Sequence, residues 1–129
     1  MPLHRLVPDA LAALALSATL LAPQGHVGAH SILIESVPAQ GAKLSASPQT
    51  ALLRFNARIE PAVTRVSLVE GRRRTALEIS KKSAVDRVIV RLPPLAPGVY
   101  SLVYKVLAID GHVTQGMIQF TVLPSEASP

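Results

Sequence analysis

Asp110 and His112 are separated only by Gly111, in the stretch Ala108-Ile109-Asp110-Gly111-His112. On an extended backbone, residues two apart point the same way, so a carboxylate and an imidazole would face one point in space. Gly111 lets the chain bend there without steric penalty. The chain has four histidines, at 4, 26, 30 and 112, and no cysteine, so thiolate chemistry and disulfides are both excluded.

His30 is the second residue of interest, because it follows Val27-Gly28-Ala29. Small residues at the minus-three and minus-one places predict signal-peptidase cleavage after Ala29. His30 would then carry a free amine, and amine and ring Nδ1 together would close a chelate ring on one metal ion. The reference pKa of an α-amine, ~7.7–8.0, lets a metal displace its proton near neutral pH. With Asp110 and His112 the set is three nitrogens and one oxygen, suited to one tetragonal Cu(II). Each part alone has an ordinary explanation. Asp-Gly is a common turn pair, and a histidine after a cleavage point is usually an exposed polar residue. Cleavage would also discard His4 and His26 and leave no other histidine, and that coincidence points to metal.

The leader, residues 1–29, has early Arg5, the apolar run Leu11-Ala12-Ala13-Leu14-Ala15-Leu16, and the breakers Pro23 and Gly25. Asp9 is atypical of such a segment. A cut after Ala22 would leave Pro23 first, which signal peptidases resist. The stretch from Leu11 to Ala22 falls short of the ~20 residues of a spanning helix. The expected organisation is therefore a cleaved secretory signal peptide at 1–29, one domain at 30–124 and a flexible tail at 125–129. The leader loses one cation and one anion, Arg5 and Asp9, so the net charge stays at +5. The basic runs Arg72-Arg73-Arg74 and Lys81-Lys82 lack interleaved aromatics, which argues against nucleic acid. They read as solvated loop ends suited to anionic lipid or an acidic partner.

The elements that must position these residues have the period of strands. Val88, Val90 and Leu92 share one face, with Arg87 and Arg91 on the other. Tyr100, Leu102, Tyr104 and Val106 alternate with Ser101, Val103 and Lys105, and Ile118, Phe120 and Val122 repeat the theme. Shorter candidates are Ile32–Ile34, Ala51–Phe55, Thr64–Glu70 and Thr75–Ile79. Pro38, Gly41, Pro48, Pro61, Gly71, Pro93-Pro94, Pro97-Gly98 and Gly111 separate them, as residues poorly suited to strand centres do. Seven short strands without a helical pattern predict an all-β, immunoglobulin-like sandwich.

Several pieces, in order, resemble the CopC family of exported copper-resistance proteins. They are Ala29-His30, then Glu35-Ser36-Val37-Pro38-Ala39-Gln40-Gly41-Ala42 (similar to "SxPAxGA"), Pro48, Leu53-Arg54-Phe55, Leu95-Ala96-Pro97-Gly98-Val99-Tyr100, and Ala108-Ile109-Asp110-Gly111-His112 with Gly116, Phe120, Thr121 and Val122. The resemblance implies a seven-stranded Greek-key β-sandwich and a Cu(II) site built from His30 (amine and Nδ1), Asp110 and His112. It also implies a periplasmic monomer that passes copper to a CopD-type inner-membrane transporter.

There are departures from the family pattern. Only Met117 remains once the leader is lost, which speaks against a thioether Cu(I) site. An acidic residue common after the strand phenylalanine is missing from Phe55-Asn56-Ala57. Val113 stands for the proline that usually follows Asp-Gly-His, and Tyr104 for a core tryptophan.

Three functional classes follow. The first is a non-enzymatic copper carrier or buffer. The second is a copper-dependent oxidative enzyme similar to polysaccharide monooxygenases, disfavoured by the absence of tryptophan and the core-like places of Tyr and Phe. The third is a metal-free structural sandwich.

Overall fold

A computed structural model describes residues 32–125; the expected leader, His30 and residues 126–129 lie outside the described residues. The strands are β1 (Leu33–Val37), β2 (Ala42–Leu44), β3 (Thr50–Phe55), β4 (Arg65–Glu70), β5 (Arg73–Ala76), β6 (Arg87–Arg91), β7 (Gly98–Leu107) and β8 (Val113–Val122), with a single 3-10 turn at Pro61–Val63. One sheet has the order β1-β3-β6 and the other β2-β8-β7-β4-β5. The chain changes sheet after β1, β2, β3, β5 and β6, as a Greek-key sandwich requires.

Alternation decides which side chains face inward. Val88 and Val90 of β6 meet Ala51, Leu53 and Phe55 of β3 on one inner face. Val66, Leu68, Tyr100, Leu102, Tyr104, Val106, Ile118, Phe120 and Val122 supply the other. All are buried, and each large apolar side chain so removed from water contributes about 1.5–3 kcal/mol before entropy is counted. Tyr100 lies 5.8 Å from Phe120 in a stacked pair, and its hydroxyl donates to the Ala96 carbonyl at 2.6 Å. That bond ties β7 to its own approach segment, in the manner of the tyrosine corner of immunoglobulin-like domains.

The structure differs from the sequence reading in detail. Eight strands, not seven, are present among the described residues. The addition, β2, is three residues long and pairs parallel to β8, Ala42 opposite Phe120. The strand expected at Thr75–Ile79 lies earlier, at Arg73–Ala76, and Ile79 makes only a single bridge to Val90. Arg72 is in the β4–β5 turn and Arg73 and Arg74 open β5, all exposed as expected of a solvated hairpin end.

β7 and β8 pair over their full length, from Gly98 opposite Val122 to Leu107 opposite Val113. Their connection, residues 108–112, therefore lies at one pole of the sandwich. Val69 pairs with Ser101 and Arg65 with Lys105, so the β4–β5 turn lies at the opposite pole.

Candidate metal site

Residues 108–112 form a tight turn, not the extended run that the spacing suggested. The Ala108 N–H donates to the His112 carbonyl and the Gly111 N–H to the Ala108 carbonyl, each at 2.9 Å. Gly111 has φ of +90°, a conformation that side chains disfavour, and this allows the reversal. Asp110 Oδ1 accepts the His112 backbone N–H at 3.0 Å, which locks the turn from its side chain. The other carboxylate oxygen, Oδ2, lies 3.1 Å from His112 Nδ1. The two residues do face each other, through a turn instead of a strand. Their side chains are 41% and 50% exposed, open to an ion arriving from solvent.

The turn rests on residues 56–60, which follow β3. Ile109 N–H donates to the Arg58 carbonyl at 3.2 Å, and Glu60 N–H to the Leu107 carbonyl at 2.8 Å. Ile59 N–H donates to the Val85 carbonyl at 2.8 Å, and Thr64 Oγ1 to the Glu60 carbonyl at 2.8 Å. The start of β1 leans on the same segment. Asn56 N–H donates to the Ile32 carbonyl at 3.0 Å, while Ile32 N–H donates to Asn56 Oδ1 at 2.7 Å. One short stretch of backbone thus carries both the 108–112 turn and the first described residue of the chain.

Of the three expected ligands, Asp110 and His112 are brought together, and His30 lies outside the described residues. Among the described residues no group of three His, Cys, Asp or Glu side chains is placed to hold a metal ion. The Asp110–His112 pair supplies one oxygen and one nitrogen donor, which fits part of a tetragonal Cu(II) set and leaves further ligands to come from elsewhere. Asn56 was visible in the sequence only as the place where an acid is missing; its partner is 24 residues away, and no local signal predicts that pairing.

The CopC domain family profile matches residues 33–123. The chain belongs to the CopC family. CopC of Methylosinus trichosporium OB3b, known from its crystal structure, is similar at 29% identity and a TM-score of 0.68, over 78% of this chain and 100% of that one. PcoC, a methionine-rich copper resistance protein of Escherichia coli, shares the fold at 21% identity and a TM-score of 0.62, over 73% and 99% of the two chains. Protein YobA of Escherichia coli K12 is 28% identical over 111 residues, 83% of this chain and 88% of that protein.

Two differences from the familiar CopC pattern have a structural outcome. Tyr104, where a tryptophan is common, is buried and packs edge-on against Phe55 at 5.6 Å. Val113, where a proline is usual, opens β8 and pairs with Leu107, closing the base of the turn. No helix among the described residues is long and apolar enough to cross a membrane.

Proposed function

We propose that this chain is an exported Cu(II) carrier or buffer of copper resistance or homeostasis, with copper as its cargo. The observation that carries this reading is the pairing of Asp110 with His112 on a turn anchored to the same segment as Ile32. His30 precedes Ile32 by two residues, and two extended residues span at most ~7 Å. Asn56 and Arg58, which hold Ile32 and Ile109, are also two residues apart. In this reading a mature chain beginning at His30 adds its amine and Nδ1 to the Asp110 and His112 donors. Membership of the CopC family supports the same metal.

Ligand exchange, not bond-making in a substrate, is the chemistry this site supports. All four aromatic side chains of the chain, Phe55, Tyr100, Tyr104 and Phe120, are buried, so none offers the exposed platform that a polysaccharide monooxygenase uses. The proposal places the protein in the periplasm as a monomer, delivered by cleavage of residues 1–29, with a CopD-type inner-membrane transporter as the recipient of copper.

The deciding experiment is electron paramagnetic resonance on the exported, processed protein with one equivalent of Cu(II), and its N-terminus sequenced from the same sample. A tetragonal signal with nitrogen couplings on a chain starting at His30 is expected. A signal of loosely held copper on that same chain would remove the copper function and leave a structural sandwich.

A further inference from the structure

We infer that the outer face of the five-stranded sheet is a docking surface for an anionic lipid membrane; copper plays no part in this contact. An antiparallel sheet with one solvated face normally alternates apolar inward with polar outward. β7 departs from that rule, because its outward positions include Val99, Val103 and Leu107 beside Ser101 and Lys105. Register carries the apolar character across the sheet. Val103 pairs with Met117, Leu107 with Val113, and Val69 with Ser101, between Val99 and Val103. Met117 is 59% exposed, Val99 53% and Val113 50%, an apolar area of the kind that marks a contact surface.

The charges on this face are all of one sign. Arg65 pairs with Lys105, Arg74 with Val69, and Lys43 with Thr121. Glu70, the one acid in these five strands, shares the inward side of β4 with Val66 and Leu68. None of the four cations makes an ion pair among the described residues. On the other sheet, by contrast, Arg54 is paired with Glu35 at 2.7 Å and Arg87 with Asp86 at 3.2 Å. Arg65 donates to the Ala62 and Thr64 carbonyls, at 3.1 and 3.0 Å, which holds its charge in place.

The charge selects an anionic occupant, and the relief selects a bilayer. A second copy docked face to face would bring cations against cations. Protein partners are usually anchored by aromatic side chains in pockets, yet all four aromatics here are buried, and the clefts beside Arg91 and Arg58 open elsewhere. A bilayer requires neither, because apolar area and charge act together at its surface. Lysine and arginine stems lie along apolar neighbours while their heads reach phosphates.

The test is cosedimentation of the exported, processed protein, its N-terminus sequenced, with vesicles of phosphatidylcholine, alone or mixed with phosphatidylglycerol. Partition onto the anionic vesicles only, weaker as salt rises, is expected. Arg74→Gln and Lys105→Gln should each weaken it about 5-fold. Met117→Gln should weaken it with the salt dependence kept. Lys81→Gln together with Lys82→Gln removes two charges away from this face and should leave partition nearly unchanged. Absence of binding to anionic vesicles, or an equal loss when Lys81 and Lys82 are replaced, would overturn the inference. Binding to polyglutamate in place of vesicles, sensitive to Arg74→Gln and Lys105→Gln, would assign the face to an acidic protein instead. A dimer in sedimentation that Met117→Gln dissociates would assign it to a second copy.

Discussion

The phenol ring of Tyr104 lies directly over Gly116, its cross-strand neighbour, and fills the space that a β-carbon on Gly116 would need. The ring cannot swing aside cheaply, because it is buried and braced edge-on by Phe55. Gly116→Ala is therefore expected to destabilise the domain by about 1–3 kcal/mol, as overpacking does. At this size each kcal/mol lowers the melting temperature by about 4–8 °C. An unchanged melt would show that the core has room the packing does not suggest.

Tyr100 and Tyr104 both have phenol pKa values raised above 10.0 by burial, with Glu70 adding to the effect at Tyr100. For a raised acid the folded state holds its proton longer than the unfolded state. These groups therefore leave stability unaffected below pH 10, and stability falls as pH rises beyond it. Denaturant titrations between pH 8 and 11 should show that decline. Tyr100→Phe should be less stable at pH 8, by about 1–2 kcal/mol for the lost bond to Ala96. Its decline above pH 10 should be shallower than that of the wild type.

Asp110→Ala and His112→Ala remove proposed ligands from an exposed turn and no core contact. Each is expected to weaken Cu(II) binding at least as much as loss of an outer-shell partner does, about 10- to 100-fold. Thermal melts of the metal-free proteins should stay near wild type, apart from the loss of the Asp110 bond to His112 N–H. Collapse of the fold in both variants would argue for a structural role.

One extra residue placed before His30 turns its amine into an amide, which is a poor ligand while protonated. Binding should fall by a similar or larger factor, with the melt of the metal-free domain unchanged. Equal affinity in the extended chain would remove the amine from the ligand set.

Neutralising Arg72, Arg73 and Arg74 to Gln tests the separation of charge from site. The β4–β5 turn lies at the pole opposite residues 108–112, and all three side chains are exposed. Stability should change by no more than about 0.5 kcal/mol per substitution. Cu(II) affinity should be unaltered, measured by chelator competition.

The long strands were legible because their inward residues are large and regularly alternating: β6, β7 and β8 follow Val88 to Leu92, Tyr100 to Val106 and Ile118 to Val122. β2 was not, because a three-residue strand has no period to read, and its identity depends on Phe120, Thr121 and Val122 lying beside it. The Asp110–His112 pairing was legible in its outcome but not in its route. Spacing suggested an extended backbone, whereas Gly111 and the Asp110 side chain make a turn. The Asn56 bond to Ile32 left no local sign in the sequence, since the contact is created by the folding of β1 onto β3.

The segment at 56–60 joins two layers. Ile32 leads into the three-stranded sheet, and the 108–112 turn belongs to the five-stranded one. An ion held by His30, Asp110 and His112 would thus be a reversible cross-link between the two sheets of a chain that has no cysteine to make a permanent one. It would close a loop of roughly 80 residues, for which a covalent bridge would remove about 4.5 kcal/mol of unfolded-state entropy. Loading and release of the cargo would then alternately fasten and unfasten one end of the sandwich.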